Sequence, residues 1–225
     1  MDPKQRAAEA AIDELRDGMV VGLGTGSTVE FFLRALGDRI RSGALRQIRG
    51  IPTSLRSEQR ARELGIPITS FAQSSRIDVT IDGADEVDPK LNLIKGLGGA
   101  LMREKIVAQN SDRMIVIADS SKLVATLVTK GPLPVEVSPF GCETHDGFLR
   151  SLGADPTLRC DTAGDPVVTD NGNYIYDCRF GRIEDAHGLE SKLMRRGGIV
   201  ATGLFLGIAS LALIGDDDSV QRRVR

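Results

Sequence analysis

The sequence predicts an α/β fold: a mostly parallel sheet with helices on both faces, followed by a smaller α+β ferredoxin-like (split β-α-β) domain. Two observations carry this prediction. Short apolar segments alternate with amphipathic helical segments as far as residue 118, which is typical of parallel strands buried on both faces. After Gly131-Pro132-Leu133-Pro134 the order becomes strand, helix, two strands, helix and strand.

The first part of the chain shows the alternation most clearly. Apolar residues at helical spacing predict a helix over residues 3–16, with Gly18 at its C-cap. The strands predicted after it cover 19–23, 47–51, 77–81 and 114–118. The helices predicted between them are one that carries Phe31, Phe32, Leu33 and Leu36, one over 54–64 and one over 99–109.

The second part is predicted to hold strands at 135–137, near 157–160, near 174–178 and near 199–206, with helices near 144–152 and 185–194. Residues 208–214 can return to the first sheet, and residues 216–225 are expected to form a solvated tail. The expected domains are therefore an α/β catalytic domain of residues 1–130 and 207–225, and a smaller domain of residues 131–206.

The composition is that of an ordinary globular protein, with 225 residues, 41% hydrophobic residues and a net charge of -2. No basic excess indicates a nucleic-acid partner, and no apolar run approaches the ~20 residues of a membrane helix. Because the N-terminus lacks the apolar core of a signal peptide, a cytoplasmic location is expected. The three cysteines and two histidines form no metal motif and are expected to be structural, with the cysteines buried.

Three charged or glycine-rich loops follow predicted strands, at residues 22–28, 82–99 and 119–122. Because ligands bind beyond the carboxyl ends of parallel strands, we expect these loops to open on one edge. The backbone of Gly22-Leu23-Gly24-Thr25-Gly26-Ser27-Thr28 can close around an anion at a helix N-terminus, although a tight turn with an N-cap explains the same residues. The spacing fits neither a dinucleotide fingerprint nor a P-loop.

The second loop begins with Asp82-Gly83-Ala84-Asp85-Glu86-Val87-Asp88. Carboxylates at the end of a buried strand repel one another and cost desolvation energy, which indicates a functional site. Asp82 and Asp85 can converge across the glycine turn, whereas Glu86 and Asp88 are expected to be solvated or capping. The spacing of a calcium-binding loop is absent.

The same loop continues with Lys95-Gly96-Leu97-Gly98-Gly99, where a lysine beside glycine N–H groups can stabilise an oxyanion. Arg103-Glu104-Lys105 follows on a predicted helix. Three consecutive charges usually form a solvated face, but one must point inward if the helix packs on the sheet. Lys122 lies on the same predicted edge.

These motifs resemble those of type A ribose-5-phosphate isomerases. The resemblance extends in order over nearly the whole chain, through the loops above and through Pro52-Thr53-Ser54, Gly65-Ile66-Pro67, Ser121-Lys122-Leu123-Val124, Pro132-Leu133-Pro134-Val135-Glu136-Val137, Thr169-Asp170-Asn171-Gly172-Asn173 and Gly203-Leu204-Phe205.

The resemblance implies an aldose–ketose isomerase that interconverts D-ribose 5-phosphate and D-ribulose 5-phosphate through an enediolate, in the pentose phosphate pathway, with no metal and no cofactor. It implies that Glu104 moves the proton between C2 and C1, that Lys95 stabilises the enediolate oxygen, and that Asp82 and Asp85 hold sugar hydroxyls and assist ring opening. The substrate-binding residues implied are Thr25, Gly26, Ser27, Thr28, Asp82, Gly83, Ala84, Asp85, Lys95, Gly96, Leu97, Gly98 and Lys122. Lys4 stands where the family often has a lysine near the phosphate.

The resemblance also implies a homo-oligomer, a dimer or tetramer that uses the smaller domain, with no nucleic-acid or membrane partner. Leu97 departs from the glycine that is common at its position. Two other classes stay open from the residues: a sugar-phosphate sensor, which would need a DNA-binding module, and an acyl- or CoA-transferase-like enzyme, which would need a nucleophilic glutamate and a larger cleft.

Overall fold

Helices and short strands alternate along the chain in the computed structural model, which describes residues 1–181 and 183–225. Its helices are α1 (Pro3–Ile12), α2 (Ser27–Arg41), α3 (Leu55–Glu63), α4 (Leu101–Gln109), α5 (Thr144–Ser151) and α6 (Ala186–Met194), with a 3-10 turn at Ser120–Lys122. Its strands are β1 (Val20–Leu23), β2 (Arg49–Pro52), β3 (Val79–Asp82), β4 (Glu86–Val87), β5 (Leu93–Ile94), β6 (Met114–Asp119), β7 (Leu133–Val137), β8 (Asp155–Leu158), β9 (Tyr174–Arg179), β10 (Ile199–Thr202), β11 (Leu204–Phe205), β12 (Ala209–Gly215) and β13 (Val220–Val224).

These elements belong to two units. The first unit comprises Met1–Ala84, Arg103–Leu123 and Gly207–Arg225, and the second comprises Asp85–Met102 and Val124–Leu206. Among the described residues, no helix is both long enough and apolar enough to span a bilayer.

The first unit contains a sheet with the strand order β13-β12-β6-β3-β1-β2. All its pairs are parallel except β12 with β13. One face packs on α1 and α2 through residues such as Val21 and Phe32, and the other face packs Val20 on Val107 of α4. Alternate residues of β1 thus face opposite layers, so the predicted parallel sheet with helices on both faces is confirmed.

The second unit contains an antiparallel sheet with the strand order β10-β7-β9-β8, covered by α5 and α6. In chain order these strands are the fourth, first, third and second of this sheet, which is the split β-α-β arrangement predicted from the sequence. A further small sheet, β11-β5-β4, was not predicted, because strands of two residues are too short to show a hydrophobic period.

The predicted first helix is too long. The helix α1 ends at Ile12, and the chain continues through i→i+3 turns in which Leu15 N–H donates to the Ile12 carbonyl at 3.0 Å. Leu15 is still buried in the core, so the apolar pattern persists beyond the helix that it predicts. Gly18, with φ of +82°, lies in the following turn rather than at the helix end.

The prediction of a solvated tail is wrong. Residues 220–224 form β13, which pairs antiparallel with β12 after a turn closed by Asp216 N–H on the Ser219 carbonyl at 2.9 Å. Arg222 of this strand also donates to Glu14 at 2.8 Å. Charged side chains are common on edge strands, where they discourage pairing with another chain. The charged composition of residues 220–224 therefore fits an edge strand as well as a solvated tail.

Two smaller corrections concern the second unit. The predicted strand 199–206 divides at Gly203 into β10 and β11, which belong to different sheets. A Cβ at Gly203 would lie 2.3 Å from the Lys95 carbonyl oxygen, so the close approach at this division requires glycine. Cys160 is exposed, contrary to the expectation that all three cysteines are buried, whereas Cys142 and Cys178 are buried.

Candidate active site

Asp82 ends β3 in the first unit and is fully buried. Its Oδ1 accepts the backbone N–H of Thr25 at 3.1 Å and of Gly83 at 2.7 Å. Gly24 approaches so closely that a Cβ there would lie 2.3 Å from Asp82 Oδ1. The loop after β1 and the acid that ends β3 therefore form one packed structure at the carboxyl edge of the sheet, as predicted for adjacent parallel strands.

The Thr25 hydroxyl belongs to a network of hydroxyl groups. Its Oγ1 lies 2.8 Å from Thr53 Oγ1 and donates to Ser54 Oγ at 2.8 Å. Ser54 in turn caps α3 through a capping box with Ser57. The Pro52-Thr53-Ser54 motif has no role that its sequence alone reveals; in the structure it holds the loop after β1 through side-chain hydroxyls.

The N-terminus of α2 carries exposed polar groups. Gly26, with φ of +133°, precedes the helix, and the exposed Ser27 occupies its first position. Lys4 Nζ donates to Ser27 Oγ at 3.3 Å. Lys4 had only the family resemblance to suggest it. The structure brings it to this helix end because α1 starts against the end of β12, where a Cβ at Gly215 would meet the Pro3 carbonyl oxygen.

Lys4 and Lys122 also share an electrostatic neighbour. Burial raises the pKa of Asp119, but hydrogen bonds from Ser121 and the positive charges of Lys4 and Lys122 outweigh it, so that the pKa lies below its ordinary value. The positive charges of both lysines therefore influence the carboxyl end of β6, which belongs to the same unit as the loop after β1. With the positive end of the α2 dipole, they give this edge an anion-attracting character.

Glu104 is the residue of the Arg103-Glu104-Lys105 run that points inward. It is only 4% exposed, whereas Arg103 and Lys105 are partly exposed. Val107, three residues further on the same helix face, packs with Val20 of β1 and with Ile77, just before β3. The packing of this face of α4 on the sheet therefore buries a carboxylate in the first unit.

The second unit holds Asp85 and the glycine-rich loop. Asp85 Oδ2 accepts the Leu97 N–H at 3.0 Å, and the Asp85 N–H donates to the Ile94 carbonyl at 2.8 Å. Lys95 is 3% exposed, its N–H donates to the Gly203 carbonyl at 2.9 Å, and its Nζ lies 5.6 Å from the centre of the Phe205 ring. An ammonium group at this distance from an aromatic face is stabilised there despite burial.

Glu86 was expected to be either solvated or capping, and the structure shows that it is not solvated. It is 1% exposed, and its carboxylate accepts backbone N–H groups from residues 128–131, including Val128 at 2.5 Å and Lys130 at 2.6 Å. Asp88 is half-exposed, and its Oδ1 accepts the N–H groups of Lys90 and Asn92 at 2.8 and 2.7 Å in the turn between β4 and β5, where it caps no helix.

A cavity of about 440 Å³ lies beside the loop after β1, between α2 and α3. Its walls include Thr25, Glu30 and Arg60, and Glu30 accepts hydrogen bonds from Arg34 at 2.7 Å and from Arg60 at 2.8 Å. Within the residues that the structure describes, no cluster of three or more histidine, cysteine, aspartate or glutamate side chains is arranged to hold a metal ion.

Comparisons with known proteins agree with this architecture. The family model described as ribose 5-phosphate isomerase A (phosphoriboisomerase A) matches residues 49–219. A ribose-5-phosphate isomerase A of Roseiflexus castenholzii is 50% identical over 217 residues, which cover 96% of this chain and 93% of the relative. One from Parvibaculum lavamentivorans is 50% identical over 222 residues, covering 96% of this chain and 95% of the relative.

Two solved structures are similar over nearly the whole chain. A D-ribose-5-phosphate isomerase determined in complex with phospho-erythronic acid has a TM-score of 0.96 at 42% identity, covering 100% of this chain and 98% of that chain. Ribose 5-phosphate isomerase from Plasmodium falciparum gives 0.96 at 40% identity, with coverage of 99% and 98%.

The fold and these similarities define an isomerase of the aldose–ketose class. The chain belongs to the ribose 5-phosphate isomerase A family. Its reaction is the interconversion of ribose 5-phosphate and ribulose 5-phosphate.

Proposed function

We propose that Glu104 is the base of this isomerisation. The observation that carries the proposal is the burial of Glu104, at 4% exposure, between two less buried cations of the same helix. Burying a carboxylate costs free energy, so a helix that needed only to pack would place an apolar residue there.

In this proposal the reaction moves two protons and leaves the atomic composition unchanged. The Glu104 carboxylate removes the proton from C2 of the open-chain aldose, and the electron pair of that C–H bond forms the C1–C2 double bond. The carbonyl electrons move to O1, which becomes the enediolate oxygen. Glu104 returns the proton to C1, the hydroxyl proton moves from O2 to O1, and C2 becomes the ketone. A positioned base of this kind contributes ~10²–10⁴-fold to the rate.

Lys95 and the Gly98 N–H stabilise the enediolate oxygen in this proposal, and Gly96 and Leu97 shape the loop that presents them, with the Leu97 N–H held by Asp85. A buried lysine beside glycine-rich backbone supplies donors where water is scarce, and each such donor contributes ~10²–10³-fold. The 3% exposure of Lys95 and the ordered contacts of its loop support this role.

The substrate is held at two ends. Ser27 and Thr28 at the start of α2, with Gly26 before them and Lys122 and Lys4 nearby, bind the phosphate. Thr25 lines the same site, and its hydroxyl holds the loop in place. Asp82 and Asp85, with the Gly83 and Ala84 backbone, hold the sugar hydroxyls and assist ring opening. Support comes from the Lys4–Ser27 hydrogen bond of 3.3 Å and from a relative that was solved with phospho-erythronic acid, a phosphorylated sugar acid.

The test combines isotope transfer with substitution. The chain is incubated with ribose 5-phosphate in D₂O with EDTA present, and Glu104→Gln is compared with Glu9→Gln, which alters an exposed carboxylate that only accepts the Gln5 amide. We expect ketose formation, with deuterium entering the substrate carbons, in the wild type and in Glu9→Gln. Glu104→Gln retains sugar-phosphate binding without turnover.

Near-normal activity of Glu104→Gln would contradict the proposal that Glu104 is the base. Binding without turnover in the wild type would favour the sensor, and absence of any interaction would favour the transferase. Loss of activity in EDTA alone would contradict the proposal of a reaction without metal or cofactor.

We also propose that residues 131–206 act as the oligomerisation domain of a cytoplasmic homodimer or homotetramer with no nucleic-acid or membrane partner. The large exposed side chain of Phe140, which is 95% accessible in the single chain, supports an interface on this domain. Light scattering of the full chain at micromolar concentration should give two or four times the mass of one chain, and the mass of one chain would contradict the proposal.

A further inference from the structure

Arg159 follows β8 in the second unit and reaches the glycine-rich loop with its side chain. Its side chain is 15% exposed, and its backbone is held in the sheet by an N–H donated to the Ile175 carbonyl at 2.8 Å. The guanidinium Nη1 donates to the carbonyl oxygens of Gly96 at 3.1 Å and Leu97 at 3.2 Å. No motif of the sequence analysis included this arginine.

The opposite side of the same guanidinium is anchored by Asp177 of β9. Arg159 Nε donates to Asp177 Oδ2 at 2.9 Å, and Nη2 donates to Oδ1 at 2.6 Å. This bidentate geometry fixes the plane of the guanidinium as well as its charge. Lysine has no such planar fork and cannot bond the carboxylate and two carbonyl groups at once in this arrangement.

We propose that Arg159, oriented by Asp177, is a positioning residue that aims the backbone of residues 96–98 at the developing oxyanion. The inference rests on the proposed oxyanion role of that loop. In a trans peptide the N–H points opposite to the C=O, so holding the carbonyls of Gly96 and Leu97 on one side directs the N–H groups of Leu97 and Gly98 to the other. The Leu97 N–H donates to Asp85 Oδ2 at 3.0 Å, which fixes that peptide, and the Gly98 N–H is then the donor that the restraint aims at the oxyanion.

The loop needs such an external restraint because of its own sequence. Gly96 and Gly99 have φ of +107° and +82°, and Gly98 adds a third residue without a side chain. Glycines have the largest conformational freedom of any residue. The loop's own hydrogen bond, from the Gly99 N–H to the Gly96 carbonyl at 3.0 Å, restrains the Gly96 carbonyl and leaves that of Leu97 to Arg159. Misplacing catalytic groups by about 1 Å can cost ~10²-fold in rate, which makes the restraint consequential for turnover.

The experiment compares Arg159→Ala and Arg159→Lys with Arg150→Ala. Arg150 is a control in the same unit, because it also forms ion pairs, with Asp146 and Asp155, but is 52% exposed and has no contact with residues 96–98 in the described hydrogen bonds. We expect a fall in kcat of ~10–100-fold for both Arg159 variants, with KM within about threefold of wild type and the pH dependence of kcat unchanged. Arg150→Ala keeps the wild-type kcat.

Chemical rescue separates positioning from a role in folding alone. Millimolar guanidinium ion should raise kcat of Arg159→Ala several-fold at unchanged melting temperature, and should leave the wild type and Arg159→Lys unaffected. Asp177→Asn should lower kcat in the same direction, and its effect should not add to that of Arg159→Ala, because both act through one contact. If Arg159→Ala does not fold, Arg159→Lys and Asp177→Asn carry the test.

Wild-type kcat in folded Arg159→Lys would overturn the proposal, as would a loss that guanidinium does not restore in folded Arg159→Ala. A shifted pH profile would also overturn it, because it would mean that Arg159 acts in proton transfer. These outcomes leave the assignment of Glu104 untouched. Conversely, an active Glu104→Gln would contradict the proposal that Glu104 is the base. The kcat comparison of the Arg159 variants would still be valid, because it does not depend on which residue is the base.

Discussion

Thr25→Val tests whether the Thr25 hydroxyl, in the loop after β1, stabilises the folded protein or binds the substrate. Valine keeps the shape of threonine and leaves the backbone N–H that Asp82 accepts at 3.1 Å. It removes the two hydroxyl contacts of 2.8 Å, to Thr53 and to Ser54. The structure therefore predicts a loss of stability with little change in substrate affinity.

The magnitude follows from the number of hydrogen bonds. Each hydrogen bond contributes about 0.5–1.5 kcal/mol net, so the loss of two should lower the free energy of unfolding by about 1–3 kcal/mol. For a chain of this size, 1 kcal/mol corresponds to about 2–4 °C in melting temperature. Urea unfolding and thermal melting measure this directly, and steady-state kinetics with ribose 5-phosphate measures KM.

Thr25→Ser is the matched control, because it keeps the hydroxyl and removes only the methyl group. We expect it to retain most of the stability that Thr25→Val loses. A rise in KM of tenfold or more in Thr25→Val, with the free energy of unfolding unchanged, would refute the reasoning and would assign the hydroxyl to the substrate.

Three further predictions test other parts of the chain. Lys4→Met should raise KM for ribose 5-phosphate ~10-fold with kcat nearly unchanged, because a charge-assisted contact to the phosphate is lost; unchanged KM in steady-state kinetics would exclude Lys4 from the phosphate site. Glu86→Gln should lower the free energy of urea unfolding by about 3 kcal/mol, since one acceptor oxygen for the N–H groups of residues 128–131 becomes a donor. Burial, and then the charge of Arg196, lower the pKa of His145 from its ordinary 6.5, so the unfolded chain binds this proton more readily; the free energy of unfolding should fall as pH drops below about 6.5, and His145→Gln should reduce that slope.

Most of the fold could be predicted because its signals are local. The segment Met114–Asp119 is buried almost throughout and shows this in its own residues, and so do the amphipathic faces of α2 and α3. The two-residue strands β4, β5 and β11 exist only through their partners in the small sheet and have no period of their own. The edge strand β13 carries charges that also suit a tail, so composition could not distinguish the two.

The site was predictable to a different degree. The acids, Lys95 and the glycine loops are visible because they are chemically unusual and adjacent in sequence. The residues that were missed act over long separations: Arg159 contacts Leu97 across 62 positions, and Thr53 contacts Thr25 across 28. A lone arginine or threonine carries no local pattern, so only the folded chain identifies it.

Backbone hydrogen bonds offset the desolvation and repulsion of the carboxylates in the acidic run of residues 82–88. Each acid meets backbone donors of its own: Asp82 those of Thr25 and Gly83, Asp85 that of Leu97, and Glu86 those of residues 128–131. Backbone N–H groups stabilise an ionised carboxylate without bringing a mobile counter-charge into the site. The carboxylates thus order the loops that carry the proposed donors, and the sugar hydroxyls would meet the oxygen lone pairs that the backbone does not use. Substitutions of Asp82 or Asp85 by asparagine should therefore disturb loop order and substrate binding together, unlike Glu104→Gln, whose expected effect is on turnover.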